Sequence, residues 1–182
     1  MNFFGEYFEQ IGDKLRSTDV ETLDRLSVIF RETHDRGRKI ILVGNGGSAS
    51  IASHVAVDLT KVARIRAVTF NDDNLLTCFA NDYGYEHWVE KALEFYSDPG
   101  DVAVLISSSG RSPNIVNGAA TARVRGLRVI TLSGFDSDNP LRSLGEMNFW
   151  VDSRSYNVVE MTHHILLVAA VDKIVSDKGD VG

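Results

Sequence analysis

Two turns rich in serine and glycine carry the residue types best suited to holding an anion. The first, Gly44-Asn45-Gly46-Gly47-Ser48, follows Ile40 to Val43, an apolar, largely β-branched run of the kind buried on both faces of a sheet. Glycines there permit positive φ and close approach of a ligand to the backbone. A helical pattern follows, with Ile51, Val55 and Leu59 on one side, so free N–H groups and the helix dipole point at one spot. Asn45, Ser48 and Ser50 add side-chain donors. The second turn, Ser107-Ser108-Ser109-Gly110-Arg111-Ser112, follows the apolar Val102 to Ile106; Ser112 suits an N-cap and Pro113 the first helical position. Neutral donors hold a phosphate without fully neutralising it, which suits reversible binding of a sugar phosphate. The first turn is not a Walker A loop, because no Gly-Lys-Ser/Thr follows at the required spacing. Gly44, Gly46 and Ala49 do satisfy the relaxed dinucleotide pattern, which leaves a nucleotide-dependent enzyme open as an alternative.

Groups able to move protons stand on two helical segments. His54 and Asp58, at i and i+4, share a helix face and could be a base with its orienting partner, two metal ligands, or a plain surface pair. In the last helical segment Glu160 can share a face with His163 or with His164. Asn81-Asp82-Tyr83-Gly84 reads as a loop.

Strands alternating with helices must position these turns. Amphipathic helices are expected from Phe3 to Leu15 and after a capping box at Thr18-Asp19-Val20-Glu21. Strands are expected at Ile40–Val43, Ile65–Phe70, Val102–Ile106, Leu127–Leu132 and Met147–Val151, with helices between them and a last helix from about Asn157 to Val175. That alternation predicts an α/β fold with a doubly wound, five-stranded parallel sheet and helices on both faces. One domain is expected over 1–182: a helical segment at 1–36, an α/β core at 37–176 and a tail at 177–182. The first helix is apolar for a chain terminus and is expected to pack on a partner subunit as well as on its own core. Hydrophobic residues make up 43% and charged residues 24% of the 182, the balance of an ordinary soluble domain. The formal charge of −6 argues against a nucleic-acid surface, and no apolar run reaches a membrane span. Without a visible signal peptide, a cytoplasmic location is expected. The single cysteine, Cys78, excludes an internal disulfide and reads as a small core residue.

Taken together, Gly44–Ser48, His54–Thr60, Asn81–Gly84 and Ser107–Ser112 resemble the sugar isomerase (SIS) family, in its phosphoheptose isomerase branch. The resemblance implies a homotetramer that converts sedoheptulose 7-phosphate to a heptose 7-phosphate for surface-polysaccharide precursors. It implies phosphate binding by Ser107, Ser109 and Ser112 and sugar contacts from Asn45, Ser48 and Asp82, with Gly46, Gly47, Asn81 and Ser108 completing the substrate site. The family places a glutamate, base and often zinc ligand, four residues after the helix histidine; here that position is Asp58. The family's glutamine and histidine on the last helix fall at Val159 and Leu167, and His163 lies between them. Asp58 and His163 are accordingly the expected catalytic pair, and zinc on His54, Asp58 and His163 is the one cofactor considered. A related branch that binds the replication initiator without isomerase activity supplies the alternative: a non-catalytic phosphosugar-binding protein.

Overall fold

The computed structural model describes residues 2–179; the last three residues of the expected tail, 180–182, lie outside the described residues. Strand β1 (Ile40–Gly44) pairs in parallel with β2 (Ala67–Thr69) on one side and β3 (Val102–Ser107) on the other. Strands β4 (Arg128–Gly134) and β5 (Met147–Val151) continue the sheet beyond β3, giving the all-parallel order β2-β1-β3-β4-β5. Every residue of β1 and β3 is buried, as expected of central parallel strands covered on both sides.

Alternate side chains of these strands build two cores, because successive residues point to opposite faces. Ile40, Leu42, Val102 and Val104 pack against α2 (Val20–Asp35), α3 (Gly47–Lys61) and α7 (Tyr156–Asp177). Ile41, Val43, Ala103 and Leu105 pack against α5 (Trp88–Tyr96) and α6 (Pro113–Val124), with α4 (Asp73–Tyr83) at the margin. Helix α1 (Phe3–Arg16) has no buried residue, and Phe3, Phe4 and Phe8 are 72%, 65% and 66% exposed.

Connectivity puts a crevice at one place. The chain leaves β1 through α3 toward β2 and leaves β3 through α6 toward β4, in opposite directions along the sheet. The connections leaving the carboxyl ends of β1 and β3 therefore part to opposite sides, and an open parallel sheet binds ligands in the crevice formed there.

Several local expectations are corrected. The second strand is only Ala67–Thr69, an edge strand entered through Arg64 at φ 58°. Asn81, Asp82 and Tyr83 are not loop but the end of α4, closed by Gly84 at φ 89°. Tyr85, Glu86 and His87 form the turn into α5, which begins at Trp88. The cap of α2 is Asp19, not Thr18: its carboxylate accepts from the Glu21 N–H at 3.1 Å and the Thr22 hydroxyl at 2.6 Å. Cys78 is exposed rather than core.

Candidate active site

The glycine turn and the serine loop meet in the crevice between β1 and β3. Gly46, at φ 56°, is the N-cap of α3 and offers no side chain to it. Ser112 caps α6 without a side-chain bond to that helix, because its hydroxyl is 3.0 Å from the Ser107 hydroxyl. Two helix starts thus lack side-chain caps at one cleft, the arrangement in which backbone N–H groups receive an anion. Gly44 must be glycine, since a β-carbon there would meet the Ser48 backbone at 2.5 Å.

The cleft holds about 310 Å³. Eight of the expected site residues line it: Asn45, Gly46, Gly47 and Ser48 from the turn, and Ser107, Ser108, Ser109 and Ser112 from the loop. A larger groove of about 450 Å³ lies between the α1–α2 junction and β5, but its helix start is already capped by Asp19. Anion chemistry therefore belongs to the smaller cleft.

Behind the serine loop stands Asn139, which sequence reasoning missed. Its amide donates to the carbonyls of Gly134 at 3.2 Å and Asp136 at 2.8 Å, and its side chain fills the space a β-carbon on Gly110 would need. The Leu141 N–H donates to the Gly110 carbonyl at 3.1 Å and the Gly134 N–H to the Ser108 carbonyl at 2.8 Å, so the loop is held from β4 and the segment after it. Arg111 has its charge engaged by Asp138 at 3.0 Å and Asp136 at 3.8 Å.

The carboxylate in the cleft is Glu160 of α7, beside Tyr156. The Ser108 hydroxyl donates to Glu160 Oε1 at 3.4 Å, and the carboxylate fills the space a β-carbon on Gly47 would need. Burial pushes its pKa above the usual carboxylate range, against the opposing pull of the Ser108 bond. In the sequence Glu160 stood out as a face partner of His163 or His164, and nothing local to it pointed to the serine loop.

Asp58 does not line this cleft. Its Oδ2 lies 3.1 Å from His54 Nε2, and His54 Nδ1 lies 2.8 Å from His164 Nε2 on α7. Burial, then the neighbouring His54, lower the pKa of His164, while Asp58 works the other way. The expected His163 is elsewhere. It is fully buried, bonded through Nε2 to the Ser133 carbonyl at 3.1 Å, and burial pushes its pKa down to about 4. One residue on a helix is a turn of about 100°, which separates His164 at the α3 contact from His163 beneath the sheet. The zinc set His54, Asp58 and His163 is thereby corrected, since His163 meets neither partner. Replacing His163 by His164 does not restore it, because Asp58 and His164 engage opposite nitrogens of the His54 ring and form a chain instead of converging. Among the described residues no group of three or more histidine, cysteine or carboxylate side chains could hold a metal ion. Asn81 and Asp82 stay outside the cleft: both are exposed on α4, and the Asn81 amide donates to Asp82 Oδ1 at 2.9 Å.

The SIS domain family matches residues 4–134. A phosphoheptose isomerase of Aliarcobacter butzleri is 35% identical over 173 residues, covering 91% of this chain and 89% of its own. The chain belongs to the SIS-domain family, in its phosphoheptose isomerase branch. A second family member, the phosphoheptose isomerase of Fusobacterium nucleatum, is 31% identical, covering 76% of this chain and 74% of its own. The solved structure of the phosphoheptose isomerase GmhA from Neisseria gonorrhoeae superposes with a TM-score of 0.86 at 29% identity, over 95% of each chain. The five-stranded parallel sheet expected from the sequence is therefore the fold of this family. Among the described residues no helix is long and apolar enough to cross a membrane.

Proposed function

We propose that the protein is an aldose–ketose isomerase that interconverts sedoheptulose 7-phosphate and a heptose 7-phosphate. The observation that carries this reading is the Glu160 carboxylate, raised in pKa by burial, in one cleft with two helix starts that lack side-chain caps and five serine hydroxyls. The phosphate rests on the starts of α3 and α6, with Ser107, Ser109 and Ser112 as neutral donors. Isomerisation moves a proton between C1 and C2 through an enediol. A carboxylate with a raised pKa can take that proton at neutral pH and return it. Glu160 fills this role better than Asp58, whose carboxylate faces His54.

A second proton must pass between the two oxygens. We assign it to His164, which stands four residues beyond Glu160, about 6 Å along the α7 axis. Asp58 and His54 orient its ring from behind. No step requires a metal on these side chains. The reading is completed by a cytoplasmic homotetramer, favoured by the exposed aromatic face of α1.

The test is conversion of sedoheptulose 7-phosphate in deuterium oxide, with the product read by NMR. Deuterium at C2 of an aldose 7-phosphate is expected. Stabilisation of the protein by the sugar phosphate with no turnover would favour the non-catalytic alternative instead.

A further inference from the structure

Asn45 lines the cleft, yet most of its hydrogen-bonding capacity is spent inside the protein. Its Oδ1 accepts from Asn114 Nδ2 at 2.9 Å and from the Tyr85 hydroxyl at 3.1 Å. Its Nδ2 donates to Asn114 Oδ1 at 3.0 Å. A primary amide has two acceptor and two donor positions, so one N–H remains for the cleft.

The partners come from separate parts of the chain. Asn114 is 1% exposed and follows Pro113 at the start of α6, so the paired amides bridge the glycine turn and the helix under the serine loop. Tyr85 comes from the turn after α4, where Gly84 at φ 89° redirects the chain. That turn is tied to α6 by the Asn117 amide, which donates to the Glu86 carbonyl at 2.9 Å. The Tyr85 ring is half exposed, so core packing does not explain where its hydroxyl sits.

The amide pair on its own does not decide which polar atom faces the ligand. Turning both amides over keeps their two mutual bonds and exchanges the free N–H of Asn45 for an oxygen lone pair. A phenol hydroxyl is a stronger donor than acceptor, so its bond to Oδ1 favours the present arrangement over the exchanged one, in which it would have to turn and accept from the Asn45 amide. We propose that Tyr85 is a positioning residue for substrate binding, its hydroxyl holding Asn45 as a hydrogen-bond donor toward an oxygen of the sugar phosphate. This rests on the reading of the cleft as a sugar-phosphate site. It also gives the segment after Asn81-Asp82-Tyr83-Gly84 a task that the cleft-lining residues do not reveal: it brings Tyr85 to Asn45.

The variant Tyr85→Phe removes the hydroxyl and keeps the ring. For sedoheptulose 7-phosphate its KM should rise about fivefold with kcat changed less than twofold, the scale of one neutral hydrogen bond lost in binding. In an Asn45→Asp background, where the side chain is acceptor-only, Tyr85→Phe should have no further effect on KM; independent losses that multiply would overturn the coupling. An unchanged KM in the single variant would also overturn it. A second readout needs no substrate: the side-chain NH₂ resonances of Asn45 in the ¹⁵N-labelled protein. Tyr85→Phe should broaden or double them, and identical resonances would refute the proposal. If the wild type neither binds nor converts the sugar phosphate, the functional reading fails, and the NMR comparison still decides the Tyr85–Asn45 relationship.

Discussion

The carboxylate of Glu160 lies where a β-carbon on Gly47 would have to be. The first residue of α3 and the fifth of α7 therefore constrain one another: only glycine at 47 lets the acid reach the cleft. Glu160→Gln should lower kcat by about two to four orders of magnitude, the usual contribution of a general base, with sugar-phosphate binding retained. Gly47→Ala should lower kcat about a hundredfold through displacement of an intact carboxylate. Steady-state kinetics and substrate-deuterium exchange check both, and a Glu160→Gln enzyme within tenfold of wild type would remove the proposed base.

Phosphate affinity should reside in hydroxyl and backbone donors. The Ser109 hydroxyl, in the cleft wall, accepts from the Arg111 N–H at 3.2 Å, while the Arg111 guanidinium is engaged by Asp136 and Asp138. Ser109→Ala should weaken sugar-phosphate binding by roughly 1–2 kcal/mol, the worth of a hydrogen bond to a charged group. Arg111→Ala should leave affinity within about threefold, because an exposed guanidinium already paired to carboxylates contributes little. Calorimetric titration of both variants decides it, and the reverse order of effects would move the phosphate site.

His163 makes the fold sensitive to acid. Its pKa in the folded protein is about 4, against an ordinary 6.5, because burial disfavours the charged ring. Below about pH 6.5 the unfolded chain binds a proton that the folded chain refuses, so this group's contribution is complete above that value and is lost as the pH falls toward 4. The loss should approach roughly 3 kcal/mol. Urea unfolding across this range is the measurement. His163→Gln, which keeps an N–H donor for the Ser133 carbonyl, should flatten the profile; an unchanged slope would assign the acid sensitivity to other groups.

The aromatic face of α1 should be an interface between copies of the chain. Phe3, Phe4 and Phe8 lie exposed on a helix that buries none of its residues, an apolar surface that a solvated monomer rarely keeps. Replacing Phe4 and Phe8 by Glu should shift the sedimenting species from tetramer to smaller forms without unfolding the α/β core. A wild type that sediments as a monomer at micromolar concentration would eliminate this interface.

Much of the cleft was legible because short-range rules govern it. Ile40–Val43 and Val102–Ile106 can satisfy their backbones while apolar on both faces only as central strands, and both are. Ser112-Pro113 starts a helix for reasons internal to those two residues, and it does so here. Asn81–Tyr83 failed the same logic. Asparagine and aspartate favour turns in isolation, but here they complete the last turn of α4, and the chain turns only at Gly84.

The amino-acid sequence by itself determined the strand–turn–helix units, the parallel sheet they form and the eight residues of the glycine and serine turns that line the cleft. Each is set by backbone sterics, capping or apolar periodicity within a few residues. Only the tertiary structure decided which side chains of α7 meet that cleft. Nine of its residues are buried, so its own pattern leaves its rotation about the axis ambiguous between Glu160, His163 and His164. Packing against α2, α3 and the sheet settles that rotation, turning Glu160 to the serine loop, His163 to Ser133 and His164 to His54, a residue 110 positions away.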